Sequence, residues 1–559
     1  MTVDVQEEPG KGRSIFQSRA VWLEIAFALC LLIVGFAIRG YDLSVLIAAP
    51  DELTYASRSI HILAANWSWQ APYMWDQPPL LAYLLAVMMA VSGATLNSLR
   101  LLSVLCGALS VVLAYFLGKS MYGKKAGVVA SIALLVDGYD ILYSRQIYIE
   151  ALATMLILGA VLFFWEGVVK RRSTKLTIIG GIIFGLALDA KYIALVMAVA
   201  IVLFLIIYWN KFNGKFPWRG IAIYFGMGFA AFLPVLGALW YNNVNPFYYD
   251  LVYRFQYHTS SALVGQIRSG QLFFTGLRNF IQVFFHVSST DPFQVFPLLS
   301  IDIPIWTAIV ACVLGFFIVS FFLRRSPADG LLLILFLAFL GFAFTYPDRR
   351  TYFALYPSII FLVMLGRVIQ LCVESLRRYW HGKSIVPYVA VAVIALTVSG
   401  VALSAYAVPL TYQTGFGDWD ELTPILNYVS NDLAHSASNN NTYVAISLGL
   451  IGYYIQEENI PVSIAYMRQP QSYYTEPPLN QTLQTPTRGT FPIYWVISTS
   501  AIEHLHPEFI IMPLVDYRTT TVNFHTYINE RYYTPLSTVH ILLFQLRPGN
   551  ESNFNGTCC

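Results

Sequence analysis

Apolar runs of near-constant length, broken by short charged stretches, recur from Val21 to Ala407. A helix crossing the hydrocarbon core needs about twenty such residues. The runs predict spans at roughly Val21–Ile38, Leu99–Leu117, Ala126–Leu142 and Ala151–Val169. A fifth ends near Ala187, a sixth covers Tyr192–Trp209, and a seventh runs through Trp240. An eighth ends at Arg324 and Arg325, a ninth near Tyr346, a tenth at Arg377 and Arg378, and the eleventh covers Ile385–Ala407. Lys11, Arg13 and Arg19 precede the first run, which places the N-terminus in the cytoplasm; later Lys/Arg clusters fall at alternate ends, as the positive-inside rule requires. Leu80–Val91 follows Pro78-Pro79 and is too short to cross, so it is read as interfacial or re-entrant.

After Thr411 the pattern changes. Polar residues rise, no spanning run follows, and short apolar or alternating stretches at Tyr443–Leu448, Tyr494–Ser498, Phe509–Met512 and Val539–Leu546 predict strands. Asp420–Leu433 predicts an amphipathic helix. The expected fold class is a polytopic α-helical membrane protein of about eleven transmembrane helices with a C-terminal extracytoplasmic mixed α/β domain. The expected divisions are a cytoplasmic tail at 1–20, a membrane domain at 21–409 with outer loops 40–98, 137–150 and 241–304, and the soluble domain at 410–559.

Composition agrees with the pattern. The 559 residues are 57% hydrophobic and 12% charged, against about 25% charge in soluble domains. A net charge of +3 gives no reason to expect a nucleic-acid partner. The six cysteines show neither a disulfide framework nor zinc spacing; four lie in apolar runs and Cys558 and Cys559 end the chain. Asn-x-Ser/Thr sequons at Asn66, Asn440, Asn480, Asn550 and Asn555 all fall on the side read as outer.

Candidate chemistry gathers at the outer ends of the spans. Asp51-Glu52 lies just past the first span, in a loop that also holds Tyr55, Asp76 and Gln77. Asp51 as a helix N-cap is the simple account; a partly desolvated carboxylate also suits a general base. Arg145 and Glu150 flank a membrane entry, where a structural ion pair is the simple account. Glu150 begins an apolar run, and ionisable groups at such depth mark function or pairing. Arg100, Lys191, Arg349 and Arg350 are basic on the side where the positive-inside rule disfavours them. Local pairs of Asp189 with Lys191 and Asp348 with Arg349 would explain two of them. A phosphate site for Arg100, Arg145, Lys191, Arg349 and Arg350 would explain all.

In their order along the chain, Asp51-Glu52, Pro78-Pro79-Leu80, Leu99-Arg100-Leu101-Leu102-Ser103, Gly118-Lys119-Ser120-Met121-Tyr122-Gly123, Tyr143-Ser144-Arg145 with Glu150, and Gly185-Leu186-Ala187 with Lys191-Tyr192 resemble the GT-C superfamily of polyprenyl-phosphate-dependent glycosyltransferases, nearest the protein O-mannosyltransferase and aminoarabinose-transferase-like branch. The resemblance covers roughly residues 25–195 and implies a prokaryotic relative. It implies a membrane glycosyltransferase moving a sugar from a polyprenyl (dolichyl-type) phosphate to a hydroxyl of a protein, lipid or glycan acceptor, with inversion, on the extracytoplasmic face. By the same resemblance Asp51 is the base, Glu52 assists, and Glu150 is the second-loop acid. Arg145, Lys191 and one of Arg349 or Arg350 face the donor phosphate. Tyr55, Asp76 and Gln77 are candidate substrate-binding residues. No cofactor is implied; a divalent metal is compatible but not required. The sequence departs from the mannosyltransferase pattern at Gln77, where His is usual, and at Glu150, where Asp is common. An oligosaccharyltransferase-like reading lacks its Trp-Trp-Asp signature. A transporter or flippase for a lipid-linked or anionic substrate is the alternative, and the absence of internal repeats and of charges at mid-span weighs against it.

Overall fold

The computed structural model describes residues 19–43, 52, 55–56, 58–59, 62–63, 66–67, 78–93, 95–212, 216–241, 302–345, 351–379, 385–411, 424–425, 427–429, 431, 443–446, 463–466, 483–484, 509–513, 532–537 and 541–546. The apolar runs fold as helices: α1 (Arg19–Gly40), α2 (Leu80–Ser92), α3 (Leu96–Tyr122), α4 (Lys124–Leu135), α5 (Gly138–Ser144), α6 (Ile149–Phe164), α7 (Thr174–Ala190), α8 (Ala194–Ile207), α9 (Trp218–Tyr241), α10 (Asp302–Val319), α11 (Pro327–Thr345), α12 (Leu355–Tyr379) and α13 (Val386–Thr411). Among the described residues five helices are long and apolar enough to cross a membrane, within Val21–Gly40, Asn97–Tyr122, Ile149–Lys170, Trp218–Ala238 and Tyr352–Tyr379. Five shorter apolar helices accompany them, including Leu80–Ser92. At 1.5 Å per residue this last one extends only about 20 Å, too short for a crossing.

The run expected as one span over Ala126–Leu142 is instead two helices. α4 and α5 meet at a 62° bend. The cause is local: Asp137 leaves helical geometry and its carboxylate accepts the Tyr139 amide at 3.0 Å, opening a new helix at Gly138. α6 continues as a π-helical turn at Trp165–Lys170, and α10 does the same at Ser320–Arg324.

α6 is the buried centre of the bundle and packs between α3 and α7; α3 also carries α1 and α4. α7 meets α9 through glycines. A Cβ on Gly181 would sit 2.8 Å from Met227 Cβ and closer still to the Tyr224 carbonyl, so only glycine permits this approach. Gly107 on α3 plays the same part against α1 and α5. A Cβ there would lie 2.6 Å from Ser144 Cβ and 2.8 Å from Arg39 Cδ.

The two ends of the bundle carry different polar groups. Arg100 and Lys119 are nineteen residues apart on α3, so they lie about 28 Å from each other. At the Lys119 end, Lys119 pairs with Glu24 of α1. There Glu166 accepts from Ser120 and from Lys170 at 3.1 Å, and forms an ion pair with Arg171 at 2.5 Å. The Arg100 end holds the site described below.

The C-terminal region contains a six-stranded mixed sheet of order β3-β2-β1-β4-β6-β5. Its strands are β1 (Tyr443–Ile446), β2 (Ser463–Tyr466), β3 (Leu483–Gln484), β4 (Phe509–Pro513), β5 (Tyr532–Ser537) and β6 (Ile541–Leu546). β1 runs parallel to β2 and β4; β3, β5 and β6 join antiparallel. β1, β4 and β6 fall on three of the expected strands, while Tyr494–Ser498 lies outside the described residues. Within Asp420–Leu433 the described positions Pro424, Ile425, Asn427, Tyr428, Val429 and Asn431 are helical, and Ile425 and Val429 are buried.

Gly107→Ala is expected to destabilise the protein by about 1–3 kcal/mol through overpacking. Gly226→Ala on α9, where a Cβ meets nothing within 4 Å, is expected to be neutral or slightly stabilising. Melting temperatures of the two variants in one detergent check the contrast.

Candidate active site

Three buried arginines build one end of the bundle. Arg39, in the last turn of α1, gives Nη2 to Asp140 Oδ2 of α5 at 2.6 Å and to the Leu134 carbonyl at 3.1 Å. Its Nε also reaches Asp140 Oδ2 at 3.2 Å, and neither side chain is more than 1% exposed. The Leu134 carbonyl belongs to the last turn of α4, whose helical ladder stops at the bend. Arg39 therefore adds a charged donor to a carbonyl that also accepts the Asp137 amide at 3.3 Å.

Arg100, in the first turns of α3, forms a bidentate pair with Glu52. Nε meets Oε2 at 2.9 Å and Nη2 meets Oε1 at 3.0 Å. Its Nη1 donates to the Leu43 carbonyl at 2.6 Å. Glu52 Oε2 also accepts the Ile147 amide at 3.1 Å. Both Glu52 oxygens are thus engaged, and Glu52 ties the first loop to α3 and to the segment after α5.

Arg145 closes the C-terminal end of α1. Its guanidinium donates to the carbonyls of Arg39 at 3.2 Å, of Asp42 at 3.0 Å and of Tyr41. These are the carbonyls a helix leaves unsatisfied at its end, where a cation is also favoured by the helix dipole. Arg145 does not pair with Glu150.

Glu150 opens α6 and is 1% exposed. The N-terminal turn of a helix favours a carboxylate. Its Oε1 pairs with Lys191 Nζ, which follows α7. Lys191 thus pairs across the bundle rather than with its neighbour Asp189. The Lys191 ammonium also lies 4.4 Å from the Tyr352 ring centroid and 4.9 Å from that of Phe353, a cation–π enclosure. Glu150 Oε2 is buried and accepts no hydrogen bond. The hydroxyl of Tyr356 on α12, buried and equally unpaired, lies within electrostatic reach of Glu150 and Tyr55. One carboxylate oxygen is therefore anchored by a cation while the other is available to a hydroxyl.

The structure brings Glu52, Tyr55, Arg100, Arg145, Glu150 and Lys191 to this one end. Asp51, Asp76, Gln77, Arg349 and Arg350 lie outside the described residues. Tyr55 is buried, with the Arg58 guanidinium 5.8 Å from its ring centroid. Among the described residues no group of three His, Cys, Asp or Glu side chains is placed to hold a metal ion. Sequence reasoning missed Arg39, Asp140 and Tyr356. Arg39 carried a readable signal, a basic residue at the end of α1 opposite the Lys/Arg-rich one; Tyr356 carried none.

Residues 76–237 match the family model described as dolichyl-phosphate-mannose-protein mannosyltransferase. No curated protein sequence matches the chain. Its fold is similar to that of ArnT from Cupriavidus metallidurans bound to undecaprenyl phosphate. The two are 14% identical, with a TM-score of 0.53, covering 95% of this chain and 98% of that one. The archaeal oligosaccharyltransferase AglB from Archaeoglobus fulgidus, solved with an inhibitory peptide and a dolichol-phosphate, is also similar. It is 14% identical, with a TM-score of 0.51, covering 95% of this chain and 75% of that one. Residues 76–237 thus carry that family's sequence pattern, and nearly the whole chain shares its fold with ArnT and AglB.

Proposed function

We propose that the protein transfers a sugar from a polyprenyl phosphate to a hydroxyl-bearing acceptor at the end of the bundle that carries Glu150 and Lys191, on the extracytoplasmic face. The observation that carries this reading is the divided carboxylate of Glu150: Oε1 on Lys191, Oε2 buried and open. The undecaprenyl phosphate bound by ArnT and the dolichol-phosphate bound by AglB support a lipid-phosphate donor.

The acceptor oxygen attacks the anomeric carbon as its proton passes to a carboxylate. The bond from that carbon to the phosphate oxygen breaks, and its electron pair leaves with the lipid phosphate. Direct displacement inverts the anomeric centre. Asp51 is assigned as the base on the family resemblance, and Glu150 with Lys191 holds the reacting groups. As charge grows on the leaving phosphate, a cation fixed beforehand stabilises it without reorganisation. Lys191, held against two aromatic rings, fits that role. Arg349 and Arg350 are assigned to the same phosphate.

Arg100 and Arg145 divide from these. Their guanidinium groups bind Glu52 and the end of α1, so we assign them to holding the site rather than to the phosphate.

Three outcomes are expected with full-length protein and a panel of labelled polyprenyl-phosphate sugars. Asp51→Asn and Glu150→Gln each lower turnover by about 10²–10⁴-fold, the range of general acid–base catalysis, while melting temperature holds; normal turnover in either removes that residue's role. Lys191→Met weakens binding of the sugar-free lipid phosphate, measured by ligand-induced thermal shift; unchanged binding removes it from the phosphate site. Arg100→Gln breaks a buried pair and lowers stability by about 3–5 kcal/mol; a stable variant that has lost only donor binding would return Arg100 to the phosphate.

A further inference from the structure

Around Glu150 lies a row of buried polar side chains that the proposed chemistry does not use. Ser103 on α3, Gln146 before α6, Thr154 on α6 and Tyr356 on α12 are each 2% exposed. Each has an oxygen with no hydrogen-bond partner. Buried polar atoms are nearly always paired, and an orphan is costly. Four orphans grouped beside a fifth, Glu150 Oε2, are a different matter from one.

Helix geometry puts them together. Thr154 is one turn after Glu150 on the same face of α6. Arg100, Ser103 and Gly107 share a face of α3. Arg100 reaches Glu52, which accepts the Ile147 amide, and Gly107 abuts Ser144. Ser103, between them, therefore faces the segment that contains Gln146. Tyr356, on α12, lies within electrostatic reach of Glu150. All four groups are uncharged, three being hydroxyls and one an amide. A phosphate asks for cations, and a polyprenyl chain asks for apolar walls. A ring of hydroxyls asks for neutral groups that both donate and accept.

We propose that Ser103, Gln146, Thr154 and Tyr356 form the subsite that recognises the hydroxyls of the transferred sugar. This rests on the glycosyltransferase reading above and adds the residues that select the sugar. The row continues one helical turn below Glu150, so the sugar lies on the bundle side of that carboxylate.

The test uses full-length Thr154→Val and Tyr356→Phe, which remove one hydroxyl each with little change of shape. Binding of a panel of polyprenyl-phosphate hexoses and pentoses, and of sugar-free polyprenyl phosphate, is measured beside the melting temperature of the unliganded protein. Dissociation constants for the best-bound sugar lipid are expected to rise about tenfold, the loss of one hydrogen bond to a buried group. Binding of the sugar-free lipid and the unliganded melting temperature should hold, or the latter rise, because an unpaired buried hydroxyl has been removed. Unchanged binding of the sugar lipid in both variants overturns the subsite while leaving the enzyme reading intact. So does equal weakening of both lipids, or a fall in melting temperature without a change in binding. Wild-type protein that binds neither lipid would overturn the enzyme reading and the subsite with it.

Discussion

The structure depends on burying three guanidinium groups at one end of an apolar bundle without leaving any of them alone. Removing an ion from water into a medium of low dielectric costs several kcal/mol, and attraction to a partner offsets this only where geometry and further hydrogen bonds are good. Arg39, Arg100 and Arg145 each meet that condition by combining backbone carbonyls with, for the first two, a carboxylate. Arginine suits this use because its planar fork offers five donors and remains charged. The result is a set of cross-ties among α1, the first loop, α3 and the segment between α5 and α6, none of which the apolar packing alone would hold in register.

Glu150 and Lys191 stand within this frame and differ from it in kind. Each arginine is held by several protein groups, whereas Glu150 keeps one buried oxygen open. That contrast separates the residues that hold the site from those placed to meet a substrate. A carboxylate anchored at one oxygen has a fixed orientation at the other, and such preorganisation is the main source of electrostatic catalysis.

Much of this was legible in the chain. Run length gave the helices because bilayer thickness constrains it, and Pro78-Pro79 with a short run marked α2 as too short to cross. The gathering of Glu52, Arg100, Arg145, Glu150 and Lys191 at one end followed from their positions relative to the runs. Their partners did not. Arg145 and Glu150 are close in sequence, yet Arg145 turns to α1 while Glu150 pairs with Lys191; proximity along the chain does not decide which way a side chain points. The bend after α4 was hidden because Ala126–Val136 and the Ile141-Leu142 end read as one apolar run, although Asp137 gave the local chemistry for a new helix start. In the sheet, β2, β3 and β5 lack a strong alternating pattern, and pairing rather than propensity makes them strands.

The tie between Arg39 and Asp140 also has a consequence in time. The two residues are 101 positions apart. At a synthesis rate of 5–20 residues per second, Arg39 emerges on the order of 5–20 s before the carboxylate that will hold it. During that interval α1 has a charge near its end with neither Asp140 nor the Leu134 carbonyl to receive it. Its long side chain can meanwhile extend to the interfacial water. Joining of α1 to α5 is then a late step of assembly, and it withdraws from water the group that first kept the end of α1 at the membrane surface.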